Sequence, residues 1–183
     1  MVSATRLAEL PPDVVVLDAS FVLRYLLHTD SPRPHPGGLD LLKGCELIVP
    51  ALWNVEVANA LVQAERRAAV PADRIGAALS ALMALAPSVD TIAVDLARNL
   101  ECARAHGLSA YDSLYFELAL RRRAALATYD AAMIAAAPRA GIRLFPSPSP
   151  APFPSPFPVP FPVPISVPSP SPSSPSSPSG LKA

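Results

Sequence analysis

Short apolar runs alternate along this chain with longer stretches in which apolar residues recur at helical spacing. Val14 to Leu17 is an unbroken apolar run, mostly β-branched. It predicts a strand covered on both faces, as in a parallel sheet. Ser20 is placed to cap a helix from Phe21 to about His28. Thr29 to Gly38 carries three prolines and two glycines and predicts a loop. Leu39 to Lys43 predicts a short helix closed by Gly44, and Leu47 to Val49 a second strand. Pro50 suits the first turn of a helix reaching about Arg67, with Leu52, Val55, Asn59 and Val62 spaced along it. A helix from near Pro71 puts Ile75, Leu79, Leu82 and Met83 on one stripe and stops at Pro87. Val89 to Ile92 predicts a short strand, and Val94 to His106 a helix stopped by Gly107. Ser109 opens another helix, which ends in Arg121-Arg122-Arg123. Ala125 to Ala127 predicts a strand, Ala131 to Ala137 a helix and Ile142 to Phe145 a last strand. This alternation predicts an α/β protein: a parallel sheet with helices on both faces. Functional groups of such sheets gather beyond the carboxyl ends of the strands.

Composition divides the chain in two. Of 183 residues, 146 to 180 are nearly all Pro, Ser, Phe, Val and Ala, and 15 of the 24 prolines lie there. Residues 1–145 read as one domain with a single core. Residues 146–183 read as a disordered tail, whose repeated Pro-Phe-Pro at 152–154, 156–158 and 160–162 favours an extended spacer. Every charged residue except Lys182 lies in the first part, which balances 14 basic against 15 acidic side chains. Cys45 and Cys102 are the only cysteines, and they read as reduced core thiols of a cytoplasmic protein. The prolines of the tail forbid a spanning helix, and no other long uncharged apolar run exists, so no membrane is expected.

Four acids change the picture. Asp18 ends the first strand, Glu56 lies in an apolar helix, Asp112 follows Ser109-Ala-Tyr, and Asp130 follows Leu126-Ala-Thr-Tyr. The topology can bring all four to one crevice. Like charges drawn together repel, and a divalent cation relieves them while supplying a reactive centre. Carboxylate oxygens suit magnesium, or manganese in its place, and His28, His35 and His106 show no ligand spacing. Asp18 and Asp112 are read as direct metal ligands, with Glu56 and Asp130 acting through water or on the nucleophile. Each acid also has a plainer reading. Asp112 fits a capping box with Ser109, Asp130 a helix cap, Asp18 a turn and Glu56 a solvated helix face. Asn59, one turn after Glu56, is a candidate to hydrogen-bond within the site. The arginine runs read as solvated helix ends. Trp53, Tyr111 and Tyr115 read as core or interface residues, and Met83 and Met133 as core filler.

The pieces that carry these acids resemble the PIN-domain ribonucleases, most closely the VapC-like toxins of type II toxin–antitoxin pairs. They are Val-Leu-Asp-Ala-Ser around Asp18, Val-Pro-Ala-Leu-Trp-Asn-Val-Glu-Val-Ala-Asn-Ala-Leu around Glu56, Gly-Leu-Ser-Ala-Tyr-Asp-Ser-Leu-Tyr around Asp112, and Leu-Ala-Thr-Tyr-Asp at Asp130. The acids stand in order at spacings of 38, 56 and 18 residues, and the likeness spans roughly residues 13 to 145. It implies a three-layer α/β/α domain, magnesium- or manganese-dependent RNA cleavage, a homodimer and a small antitoxin partner. Asp18, Glu56 and Asp112 match the family's strongest acids, Asp130 its more variable fourth, and Ser20 and Thr128 its small hydroxyl positions. A processing nuclease of the same superfamily and an inactive binding module are the alternatives. Asp18 lacks the Asp-x-Asp of haloacid-dehalogenase-like phosphatases.

Overall fold

The computed structural model describes residues 14–27 and 38–146. The expectations for the amino terminus, for most of the loop at 29–38 and for a disordered tail lie outside these residues. Four parallel strands form the sheet in the order β3-β2-β1-β4: β1 Val14–Leu17, β2 Glu46–Val49, β3 Ser88–Val89 and β4 Ala125–Ala127. Six helices surround it: α1 Ala19–Leu27, α2 Trp53–Arg66, α3 Ala72–Leu85, α4 Leu96–His106, α5 Asp112–Arg122 and α6 Ala131–Ala136. Short 3-10 turns cover Gly38–Leu42 and Ala137–Ala140. Helices α1, α2 and α3 pack on one another, while α4 packs on α5, and α5 lies against β1 and β4. The result is the expected α/β/α domain with a central parallel sheet.

Val15, Val16 and Leu17 are fully buried, as an unbroken β-branched run in a covered strand requires. Their neighbours in the core include Phe21, Val22, Phe116, Leu118, Leu126 and Met133. Both cysteines are free, Cys102 buried and Cys45 half-buried. No helix among the described residues is long and apolar enough to cross a membrane.

The structure corrects several boundaries and two helix faces. Ser20 does not cap α1. The helix begins at Ala19, and the Ser20 hydroxyl is engaged elsewhere. Pro50 precedes α2 rather than entering it, and its carbonyl accepts from the Trp53 N–H at 3.0 Å. The buried face of α2 is Trp53, Val57, Leu61 and Ala64, so the stripe through Val55 and Val62 is the wrong one. Val55 is 63% exposed; on α3 the expected Leu82 is buried together with Ala78, whereas Leu79 and Met83 of the same stripe are 50% and 73% exposed. Apolar residues populate both faces of these helices, so periodicity alone could not choose between them. The third strand ends at Val89, with one further bond from the Asp90 N–H to the Val49 carbonyl at 2.8 Å. The expected last strand shrinks to a parallel bridge between Leu126 and Leu144. Pro146 has no N–H to carry the pairing further.

Candidate active site

Parallel strands place all their carboxyl ends on one edge of the sheet, and every expected acid lies just beyond that edge. Asp18 follows β1, and its N–H bonds the carbonyl of Ala127, the last residue of the neighbouring β4, at 3.0 Å. Asp18 is only 6% exposed. Its Oδ2 accepts from the Thr128 hydroxyl at 2.7 Å and from the Ser20 hydroxyl. These hydroxyls are themselves fixed by the loop after β4. Ser20 accepts from the Tyr129 N–H at 3.1 Å and Thr128 from the Asp130 N–H at 3.0 Å. Burial lifts the Asp18 pKa to about 6 against the pull of the two hydroxyls, and repulsion from Asp112 and Asp130 adds to the rise.

Glu56 lies in the first turn of α2, which follows β2. Burial lifts its pKa to about 7, opposed by a hydrogen bond from the Tyr115 hydroxyl and reinforced by Asp18 and Asp112. Asp112 opens α5. Its N–H donates to the Ser109 hydroxyl oxygen at 3.1 Å, and that hydroxyl donates to its Oδ2 at 2.6 Å. The Ser109–Asp112 pairing expected of a capping box is therefore half present, just ahead of α5, and coexists with the site. Burial pushes the Asp112 pKa up as well, with Asp130 contributing repulsion. Asp130 caps α6 through Oδ1, which accepts from the Met133 N–H at 2.8 Å.

One pattern runs through all four acids. One oxygen of each is held by a donor of the protein, and the other accepts from no described residue. The acids are near enough to repel one another. No three His, Cys, Asp or Glu side chains among the described residues form a ready metal-ligand cluster. What the fold builds is thus a group of acids close enough to repel one another rather than a ready ligand shell. The donor set still fits a hard dication. It offers several carboxylate oxygens with no protein partner, and no Lys or Arg figures among the influences on Asp18, Glu56 or Asp112.

The supporting residues divide. Ser20 and Thr128 hold Asp18 as their placement suggested. Asn59 is half-buried and forms no hydrogen bond with the acids. Tyr111 is half-exposed, whereas Trp53 is buried with its indole N–H unpartnered. Two of the three arginines at the end of α5 are paired within the protein. Arg121 pairs with Asp90 at 2.7 Å and Glu117 at 3.2 Å, and Arg122 with Glu46 at 3.5 Å. Two residues escaped the sequence reading. Tyr115, read as core, reaches Glu56 with its hydroxyl. Asn99 on α4 donates to the Ala110 carbonyl at 3.0 Å and accepts from the buried Ser113 hydroxyl, clamping the turn that leads into Asp112. No spacing or composition marks a lone Asn on a helix, and only the packing of α4 on α5 gives it this part.

An α/β/α domain with acids beyond its strand ends falls in the broad class of α/β proteins that act at that edge of the sheet. More closely, the PIN domain model matches residues 15–138, well over half of the chain, and the protein belongs to the PIN domain family. PIN domains are generally nucleases. Among solved structures, PAE2754 from Pyrobaculum aerophilum is similar at 24% identity with a TM-score of 0.50, over 66% of this chain and 82% of that one. A toxin–antitoxin complex from Klebsiella pneumoniae is similar at 17% identity with a TM-score of 0.43, over 63% of this chain and 86% of that one. No curated protein matches the chain at a significant level.

Proposed function

We propose that this protein is a magnesium- or manganese-dependent endoribonuclease, a cytoplasmic VapC-like toxin that acts as a homodimer and is restrained by a small antitoxin protein. The observation that supports the nuclease reading is the repulsion among acids that lie beyond the strand ends, each with one oxygen that accepts from no described residue. The toxin reading rests on the resemblance of the four sequence pieces within a chain of the PIN family.

Asp18 and Asp112 are the residues that would hold the ion, through the oxygens their hydroxyl partners leave unbound. Such an ion, when bound, supplies charge neutralisation and Lewis acidity toward a phosphodiester oxygen. The protein supplies the rest. Ser20 and Thr128 fix the Asp18 carboxylate, and Ser109 fixes that of Asp112. Glu56, with its pKa near 7, is matched to accept a proton from water on its unbound oxygen at neutral pH. Asp130, held by the first turn of α6, orients from the β4 side.

Purified protein incubated with total RNA, with and without magnesium, tests this directly, with the cut ends mapped. Cleavage should require the metal. Asp18→Asn and Asp112→Asn should each abolish it while circular dichroism stays unchanged, and full activity in either variant would refute the assignment. Growth arrest on expression, relieved by the product of an adjacent small gene, separates a toxin from an RNA-processing enzyme.

A further inference from the structure

We infer that Tyr115 is a positioning residue, whose hydroxyl holds one oxygen of Glu56 and so presents the other to the crevice shared with Asp18 and Asp112. The consequence for catalysis rests on the ribonuclease reading above, whereas the contact itself does not.

Tyr115 lies on α5 three residues after Asp112, so both side chains belong to one face of that helix. It is 1% exposed, and its ring is among the largest fully buried side chains. Glu56 lies 59 residues earlier on α2, and the hydroxyl donates to its Oε2. One rigid aromatic side chain thereby ties the helix of one acid to the carboxylate of another. A tyrosine has two side-chain torsions to fix, and packing fixes both here, so the donor is set before any ligand arrives. Glu56 has three torsions and is only half-buried. Without the hydroxyl its carboxylate would rotate away from its like-charged neighbours. Burial and the charges of Asp18 and Glu56 push Tyr115 ionisation far up, so the group remains a donor wherever the protein is folded.

A buried tyrosine commonly satisfies its hydroxyl somewhere, and that alone implies no function. The choice of partner separates the two roles, and a double-mutant cycle reads it. Tyr115→Phe, Glu56→Ala and the double variant are compared in RNA cleavage, in Mn2+ affinity by calorimetry without RNA, and in thermal unfolding. Tyr115→Phe should fold, lower kcat/KM about tenfold and weaken Mn2+ binding several-fold, the scale of one hydrogen bond to a charged group. In the Glu56→Ala background, which has no acceptor for the hydroxyl, it should change neither quantity further. Wild-type behaviour of Tyr115→Phe, an equal loss in both backgrounds, or failure of Tyr115→Phe to fold would each overturn the proposal. If the wild type cleaves no RNA, yet binds Mn2+ with this dependence on Tyr115, the ribonuclease reading fails and the positioning role stands. If it binds no Mn2+, both fall.

Discussion

Asp18 shows how burial and function oppose each other at one residue. Its pKa moves from the ordinary 3.8 to about 6, and that of Glu56 from 4.5 to about 7, in both cases chiefly because burial disfavours the charge. Both native values lie above the unfolded ones. Between about pH 4 and 7 the folded state therefore holds more protons than the unfolded state, and stability falls as the pH rises through that window. Metal-free protein is expected to melt at a lower temperature at pH 8 than at pH 5, with magnesium restoring much of the difference by binding the ionised native form. Melting curves in chelator across this range check the sign. A melting temperature that is flat or rises would show that the acids are not strained. Asp18→Asn removes the buried charge and should stabilise the metal-free protein at pH 8 by on the order of 1–2 kcal/mol while abolishing cleavage. A gain in stability with loss of function is the mark of a residue kept for its chemistry.

At the scale of elements, the ends of helices explain what their middles do not. Helix α3 ends at Ala86, an exposed residue held at φ 42° in the left-handed region, where a β-carbon is strained. Ala86→Gly loses no buried surface and should stabilise the protein by about 0.5–1 kcal/mol, measured by urea unfolding. Gly107, at φ 68°, ends α4 in the same conformation without that strain, and the turn it starts delivers Asp112. Asn99 and Ser113 pin that turn from opposite helices. Asn99→Ala is expected to cost about 1 kcal/mol of stability and to reduce cleavage, because it leaves the Ala110 carbonyl, two residues before Asp112, with the Ser113 hydroxyl as its remaining side-chain donor. Unchanged activity with the stability cost intact would confine Asn99 to the fold. Helix positions and the caps at Ser109 and Asp130 were legible in the sequence, since capping chemistry is local. The buried face of α2 was not, and that of α3 only through Leu82 and Ile75, because the choice among several apolar stripes depends on what packs against them.

For the whole molecule, the core closes within the described residues. Helices α1 to α3, the sheet, and α4 with α5 share one core among those residues. A chain truncated after Pro146 should melt at the same temperature and cleave RNA at the same rate as the full chain. A loss of either would give the proline-rich segment a part in the domain.

The sequence by itself determined the parallel α/β plan and the four acids. Both are written in short range: β-branched runs, turn residues, and carboxylates set beside apolar stretches where an acid needs a reason. Only the tertiary structure decided that Asp18 and Glu56 would each engage one oxygen with a distant hydroxyl, and that a tyrosine and an asparagine would stand behind the acids. Those contacts join residues 59 or 110 positions apart in the Tyr115–Glu56 and Thr128–Asp18 pairs. No local pattern can encode them, because they exist once strands and helices have packed and the carboxyl ends of the strands lie side by side.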